Sequence, residues 1–395
     1  MKRHVLFIVE NNSVPRDVRV WSEARSAKEF GFDVSVICPE DKLSDSRDSC
    51  VEGIHIYAHP QPIDRSSKLG LLLEYANALF WELVLSLNVF IRHRFHIIHA
   101  ANPPDHIFLI ALVFKIFGVK FIFDHHDIAP ENYVAKFGKK GFFYWVLRLM
   151  EWLTFKTADA VIATNDSYKE MAIKRGGRNE ENVFVVRNGP DLSKIARAER
   201  NAKLRDGFKY LVGYVGTIGQ QEGIDNLLRI AKYIVEAKGR KDIKFIVVGT
   251  GPYWENVKQL SLDMGLKGFV WFTGYIPVKE LHEILETVDV CVNPEHRNSF
   301  TDKSTMIKVM EYMFFEKPIV QFYTKEGEVT AGESALYIRN NSEPEFAEAL
   351  INLLEDNRRR EIMGFDGRKR IEEQLCWDRQ KGKMKEAYDH IDVKI

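Results

Sequence analysis

Cysteine is scarce in this sequence, charge of one sign never accumulates, and no long uncharged apolar run occurs. Each shortage removes a class of protein. The four cysteines (Cys38, Cys50, Cys291, Cys376) show neither metal-like spacing nor a disulfide framework, which points to a reducing, cytoplasmic compartment. The 56 basic and 56 acidic residues cancel without forming blocks, so a nucleic-acid binder held by phosphate contacts is not expected. The longest apolar stretches, such as Ile107–Phe114, fall short of the roughly 18 residues that a membrane span needs. The opening Met1-Lys2-Arg3-His4 runs directly into a β-rich Val5–Val9, which does not read as a signal peptide.

What is present is an alternation of short β-branched runs with helical periodicity. The runs extend from His4–Val9 through Phe121–Phe123, Tyr210–Val215 and Val290–Asn293 to Leu336–Ile338. Near-continuous apolar strands separated by helices predict parallel sheets covered on both faces. At 395 residues the chain exceeds one usual core, so two domains are expected, at 1–190 and 208–376. The polar segment Asp191–Gly207 between them reads as a linker. The expected fold class is α/β, with two doubly wound parallel-sheet domains facing a cleft. In such sheets ligands sit beyond the carboxyl ends of the strands.

The segment Asp302–Met313 followed by Lys317-Pro318-Ile319-Val320 reads as loop, capped helix, turn and buried strand. With Ser304 as the cap, Ser304, Lys308 and Glu311 share one helix face. Backbone amides near Ser304 and Thr305, with the Lys308 cation, suit a phosphate, and Glu311 suits a ribose diol. A solvated Lys–Glu pair is the plain alternative. The turn Gly216-Thr217-Ile218-Gly219 follows one strand and Gly249-Thr250-Gly251 another; Gly216, Gly219 and Gly249 would let amides approach a phosphate, or simply make tight turns. The spacing is not a dinucleotide fingerprint.

In the first half, Phe121-Ile122-Phe123 runs into Asp124-His125-His126-Asp127. Adjacent ligands in an extended loop point in opposite directions, so a histidine facing substrate, its tautomer fixed by Asp124 or Asp127, is favoured over a metal site. Asn102 and Asn188 lie in loops at strand ends, and Arg16, Asp17 and Arg19 follow the first strand. These could meet an acceptor, or be turns and a surface ion pair. The aromatic stretch Lys139–Trp152 leaves a broad apolar face beside basic residues, which fits either interfacial membrane contact or burial on the sheet; Leu71–Arg94 raises the same question.

With these loops in place the chain resembles a glycosyltransferase of family 4, built on the GT-B fold. The resemblance covers essentially the whole length. It is strongest where Gly216…Glu222-Gly223, Val248-Gly249-Thr250-Gly251-Pro252, Phe272-Thr273-Gly274 and Glu311-Tyr312-Met313…Lys317-Pro318 follow the family's order. It implies a first domain that binds the acceptor, a helix over 377–395 packing back on it, and a second domain that binds a sugar nucleotide. It further implies retention of anomeric configuration, with no cofactor or bound metal. Glu311 matches the second glutamate of the family's pair, which holds the donor ribose, and His126 matches a histidine near the transferred sugar. Two departures stand out: Thr217 and Glu222 replace the usual Arg and Lys, and Lys303 replaces the first glutamate. An anion site relocated to the Ser304 helix start and Lys308 is the expectation, with Glu222 pointing away or meeting a sugar hydroxyl.

The implied reaction transfers a sugar from a nucleoside-diphosphate sugar, with a UDP-sugar expected, to a glycan or polyprenyl-linked acceptor in surface-polysaccharide synthesis. His126, Asp127 and Lys308 are its catalytic candidates, and Arg16, Asn102 and Asn188 those for the acceptor. Peripheral contact with the inner face of the cytoplasmic membrane goes with the aromatic helix. A sugar-nucleotide 2-epimerase on the same architecture and a non-catalytic sugar-nucleotide binder are the alternatives.

Overall fold

The structure, a computed structural model, describes residues 2–41, 47–60 and 68–392. The chain forms two compact units: Met1–Asn188 with Trp377–Ile395, and Gly189–Cys376.

The first unit is built on eight strands: β1 (His4–Val9), β2 (Asp33–Pro39), β3 (Asp48–Val51), β4 (Ile54–His59), β5 (Ile97–Ala101), β6 (Lys120–His125), β7 (Ala160–Ala163) and β8 (Val183–Val185). They lie in the order β3-β4-β2-β1-β5-β6-β7-β8. All pair in parallel except β3, an antiparallel edge strand that the sequence pattern misses. Its Asp48-Ser49-Cys50-Val51 is short, half-exposed and polar, so it carries no apolar run. The central strands are buried on both faces, which is why they read as unbroken Val/Ile/Phe runs. Between strands run α1 (Val18–Glu29), α2 (Lys68–His93), α3 (Phe108–Lys115), α4 (Ala129–Phe137), α5 (Phe142–Thr157) and α6 (Asp166–Lys174). Asp17 starts α1 by accepting from Val20 N (3.0 Å), and Asn165 starts α6 by accepting from Tyr168 N (2.8 Å).

The second unit carries β9 (Tyr210–Val215), β10 (Ile243–Val248), β11 (Val270–Gly274), β12 (Val290–Asn293), β13 (Ile319–Phe322) and β14 (Ala335–Ile338), all parallel, in the order β11-β10-β9-β12-β13-β14. Its helices are α7 (Ile224–Lys232), α8 (Trp254–Asp263), α9 (Val278–Thr287), α10 (Ile307–Phe314), α11 (Lys325–Ala331), α12 (Glu343–Glu355) and α13 (Asn357–Arg370). Strand order reverses between β9 and β12, so loops leaving these neighbours diverge and open a crevice at their carboxyl ends.

Asp191–Gly207 is not a free linker. Leu192, Ile195 and Leu204 pack on the second core, and Arg205 forms a two-pronged pair with Asp289 (2.8 and 2.9 Å). Apolar residues spaced irregularly among charges do this without a helical or strand period. The chain returns to the first unit as α14 (Trp377–Asp392). There Trp377 Nε1 donates to Ser26 Oγ (3.0 Å), and Tyr388 meets His99 Nδ1 (2.8 Å). Residues 393–395 of the expected helix lie outside the described residues.

Candidate functional site

Helix α10 begins at Ile307, three residues later than the Ser304 cap expected from sequence. Met306 occupies the cap position and supplies no capping side chain. Ser304 donates its hydroxyl to Phe300 O (3.0 Å), held there by a loop in which Asn298 Oδ1 accepts from Phe300 N and Thr301 N. Ser304 is not the cap residue, because the helix starts only after Met306. Thr305 also precedes the helix. Lys308 and Glu311 share a face one turn apart, and Ser304 does not join them. The first-turn amides of α10 therefore have no acceptor from their cap residue, the condition under which a helix start receives an anion.

Lys308 is not a bare cation. Its Nζ donates to Glu295 Oε1 (2.5 Å), Glu222 Oε2 (2.7 Å) and Tyr214 Oη (3.2 Å). The ammonium also sits 4.9 Å from the Tyr214 ring centroid. Glu222, expected to point away or toward a sugar, faces Lys308. The topology explains the cluster: Tyr214 ends β9, Glu222 closes the loop after it, and Glu295 follows β12, the neighbour across the strand-order reversal. Burial weakens the Lys308 charge, but Glu295, Tyr214 and Glu222 hold its pKa well above the ordinary value. Burial pushes Glu295 up to about 7, with Lys308 opposing and Glu222 assisting. As Glu295 titrates, the trio of one ammonium and two carboxylates passes from neutral to singly negative. Burial likewise raises Glu311 to about 7 against the pull of Lys308.

Sequence reading missed Glu295. The available signal was its place directly after the carboxyl end of β12, behind Pro294, where ligands of such sheets are expected.

Gly216 and Gly249 form the floor rather than a phosphate cradle. A Cβ on Gly216 would lie 3.1 Å from Tyr214 Oη and 3.3 Å from Lys308 Cε. Gly249, at φ +127°, has Gly216 O only 1.9 Å from where its Cβ would be. Gly216 N donates to Val248 O (3.1 Å), Ile218 N to Thr250 O (3.0 Å) and Gly249 N to Gly274 O (3.2 Å). The amides of Gly216 and Gly249 thus join one loop to the next instead of reaching a ligand. Thr217 is exposed, its carbonyl accepting from Tyr214 Oη (3.0 Å), and Gly219 leads into the helical turn Gln220–Glu222.

In the first unit the structure gathers a buried network around Arg19, the second residue of α1. Arg19 meets Asp124 Oδ1 (2.9 Å) and Glu23 Oε1 (3.0 Å), donates to Asn188 Oδ1 (2.5 Å) and Val186 O (2.9 Å), and lies 2.6 Å from His126 Nε2. Asp124 also lies against His126 Nε2, so Asp124 rather than Asp127 fixes that ring. Burial opposes ionisation of Asp124, but Arg19 and His126 outweigh it and hold its carboxyl well below the usual range. Burial instead raises Glu23 well above it. Asp127 is held by accepting from Ile128 N (2.8 Å) at the start of α4. His125 is buried among Phe123, Phe155 and Tyr168 and faces no substrate.

Two acceptor expectations change. Asn102 is buried: its Oδ1 accepts from His126 N (2.6 Å) and Asp127 N (3.0 Å), and its Nδ2 donates to Asp105 Oδ1 and Asp127 O (both 2.8 Å). With its whole amide engaged, it holds the histidine loop and has nothing left for an acceptor. Arg16 is exposed and pairs with Asp41 (2.8 Å). Asn188 is partly buried and engaged by Arg19. Glu23, Asp124 and His126 bring ligand atoms close enough for a metal, but the Arg19 guanidinium already bonds all three. The cation is supplied by the chain, so the set does not fit an ion.

Comparison with known proteins agrees with this architecture. Residues 17–194 match the model described as Glycosyltransferase Family 4, and residues 209–356 match Glycosyl transferases group 1. The capsular polysaccharide biosynthesis glycosyltransferase CapM of Staphylococcus aureus is 26% identical over 60% of this chain and 64% of its own. The chain spans about three-fifths of the length of the curated relatives it matches. Sucrose-phosphate synthase of Thermosynechococcus elongatus superposes with a TM-score of 0.79 at 15% identity, covering 100% of both chains. Anabaena HepE, solved with UDP and glucose, superposes with a TM-score of 0.75 at 15% identity over 98% of this chain and 99% of that one. The chain belongs to the family 4 glycosyltransferases of the GT-B fold.

Proposed function

We propose that this chain is a retaining transferase that moves a sugar from a nucleoside-diphosphate sugar, a UDP-sugar in the first instance, to a hydroxyl of a glycan or polyprenyl-linked acceptor. The setting is surface-polysaccharide synthesis at the inner face of the cytoplasmic membrane, and the reaction needs no bound metal or cofactor. One observation carries the donor assignment: an α10 start without a capping side chain lies beside Lys308, and Glu311 follows one turn on. No hydrogen bond engages the Glu311 carboxylate among the described residues, which leaves it available to the ribose diol.

In this reading the pyrophosphate lies at the first turn of α10, where fixed amide dipoles stabilise charge growing on the leaving phosphate. The bond from the anomeric carbon to the phosphate oxygen breaks while that to the acceptor oxygen forms on the same face. The acceptor proton passes to the departing phosphate, so no separate general base is required. His126, oriented by Asp124 and Arg19, is the first-unit group assigned to the transferred sugar. UDP-glucose binding by HepE and the capsular role named for CapM support the donor class and the setting.

A melting-point screen against UDP-, GDP- and ADP-sugars, followed by transfer assays on the stabilising donor, tests this. A donor that raises the melting point and is consumed only with acceptor present supports it. Conversion of the sugar nucleotide without acceptor would assign an epimerase. Binding without turnover over a broad acceptor panel would assign a non-catalytic relative.

A further inference from the structure

Two helices of the first unit bury carboxylates and turn large apolar side chains outward. Helix α5 buries Glu151 and Thr154 beside Tyr144 and Phe155, while Trp145 (63% exposed), Leu149 and Trp152 form an outward stripe at helical spacing. Helix α2 buries Glu82 and Ser86, while Phe80, Leu87 and Ile91 (78% exposed) face out. Between them α3, in contact with both, exposes Leu109 and Leu112, and Ile116 follows at its end. Ordinary surface helices do the reverse, and adjoining apolar stripes on neighbouring helices mark a surface adapted to a non-aqueous partner.

Where α3 and α5 end, the apolar face runs into a cavity of about 550 Å³. Leu112 and Trp152 belong to both, and the cavity is further lined by Lys115, Lys120, Lys156 and Arg178 with Asp159 as its one carboxylate. Asp159 is engaged by Lys115 (2.6 Å) and also accepts from Phe121 N (2.8 Å). Among the described residues no carboxylate pairs with Lys120, Lys156 or Arg178. Arg178 reaches only the Asp159 carbonyl (3.2 Å), and its buried Nε has no acceptor. Four cations against one acid, at the foot of an aromatic and aliphatic face, complement a negatively charged headgroup whose chains lie along that face.

We propose that this face docks on a bilayer containing anionic phospholipid, with the α2–α3–α5 stripes in the interface and a lipid phosphate in the Lys120–Lys156–Arg178 cavity. The proposal deepens the membrane location given above and is independent of the transfer reaction. A second copy of the chain is the poorer occupant, because a two-fold contact through this face would set like-charged lysines against each other. Interfacial tryptophans and basic residues at helix ends are what a bilayer surface selects.

The test is flotation of the full chain with phosphatidylcholine vesicles, with and without phosphatidylglycerol. Binding should need the anionic lipid. Lys120→Gln with Lys156→Gln should lower it by roughly 25-fold, at about fivefold per charge. Trp145→Glu with Leu149→Glu should abolish it, with melting points and sugar-nucleotide thermal shifts unchanged because every altered side chain is exposed or partly exposed. Inorganic phosphate should not compete, since the apolar face adds to the phosphate contact. Failure of the wild type to float overturns the proposal, as does equal flotation of the variants. A dimer that Trp145→Glu converts to monomer also overturns it and assigns the face to a second copy. Loss of the donor shift in wild type would count against the transferase reading alone.

Discussion

Replacement of Glu295 by Gln isolates one buried titration in the donor site. The carboxyl is 3% exposed, bonded to Lys308, and raised from 4.5 to about 7 chiefly by burial. Because the folded-state value exceeds the unfolded one, its stabilising effect is complete below pH 4.5 and is lost as pH rises through 7. A rise of that size is worth ~3 kcal/mol between the two limits. For a unit of this size that is roughly 6–12 °C in melting temperature. Glu311, also near 7, is present in both proteins and cancels in the comparison. The melting temperature of wild type relative to Glu295→Gln should therefore fall by that amount from acid to alkaline pH. Donor affinity should follow the same curve, because ionised Glu295 adds negative charge beside a pyrophosphate. The variant should lose the part of the pH dependence that comes from Glu295 and keep the part that comes from Glu311. Parallel melting curves for the two proteins from pH 5 to 8 would refute the coupling of Glu295 to this cluster.

Glu311→Ala should weaken nucleotide binding roughly 10- to 100-fold by removing two hydrogen bonds to a charged acceptor; titration with UDP and 2′-deoxy-UDP should show a smaller loss for the deoxy compound, which keeps only one of the two hydroxyls. Arg19→Ala should cost about 3–5 kcal/mol in urea unfolding by leaving the buried Asp124 carboxylate without its cation, and an unchanged midpoint would contradict the buried network. Gly249→Ala should destabilise by about 3 kcal/mol, since a side chain there meets both a left-handed backbone and the Gly216 carbonyl; a wild-type melting point would show that the two loops yield.

Strand positions, and with them the parallel sheets, are set by composition alone. A strand buried on both faces must be apolar throughout, and β1, β9 and β10 say so in their residues. The antiparallel edge β3 and the packed segment Asp191–Gly207 carry no such requirement and were illegible for that reason. Lys308 and Glu311 were legible as one helix face, because helical spacing is local. The Ser304 cap was not, because the loop hydrogen bonds of Asn298, Thr301 and Ser304 carry the non-helical backbone on to Met306.

Only tertiary structure decided which charges meet. Glu222 is 86 positions from Lys308, and it meets Lys308 and Glu295 because β9 and β12 are neighbours at the reversal of strand order. Arg19 and Asp124, separated by more than a hundred positions, meet because α1 lies along the sheet that holds β6. The same holds for the outward aromatics of α5: its sequence gives an apolar face, but the face turned inward carries Phe155 together with Glu151, which Arg175 meets from α6's end. Periodicity is a property of neighbours along the chain, whereas the balance of a buried charge depends on groups that folding alone brings within reach.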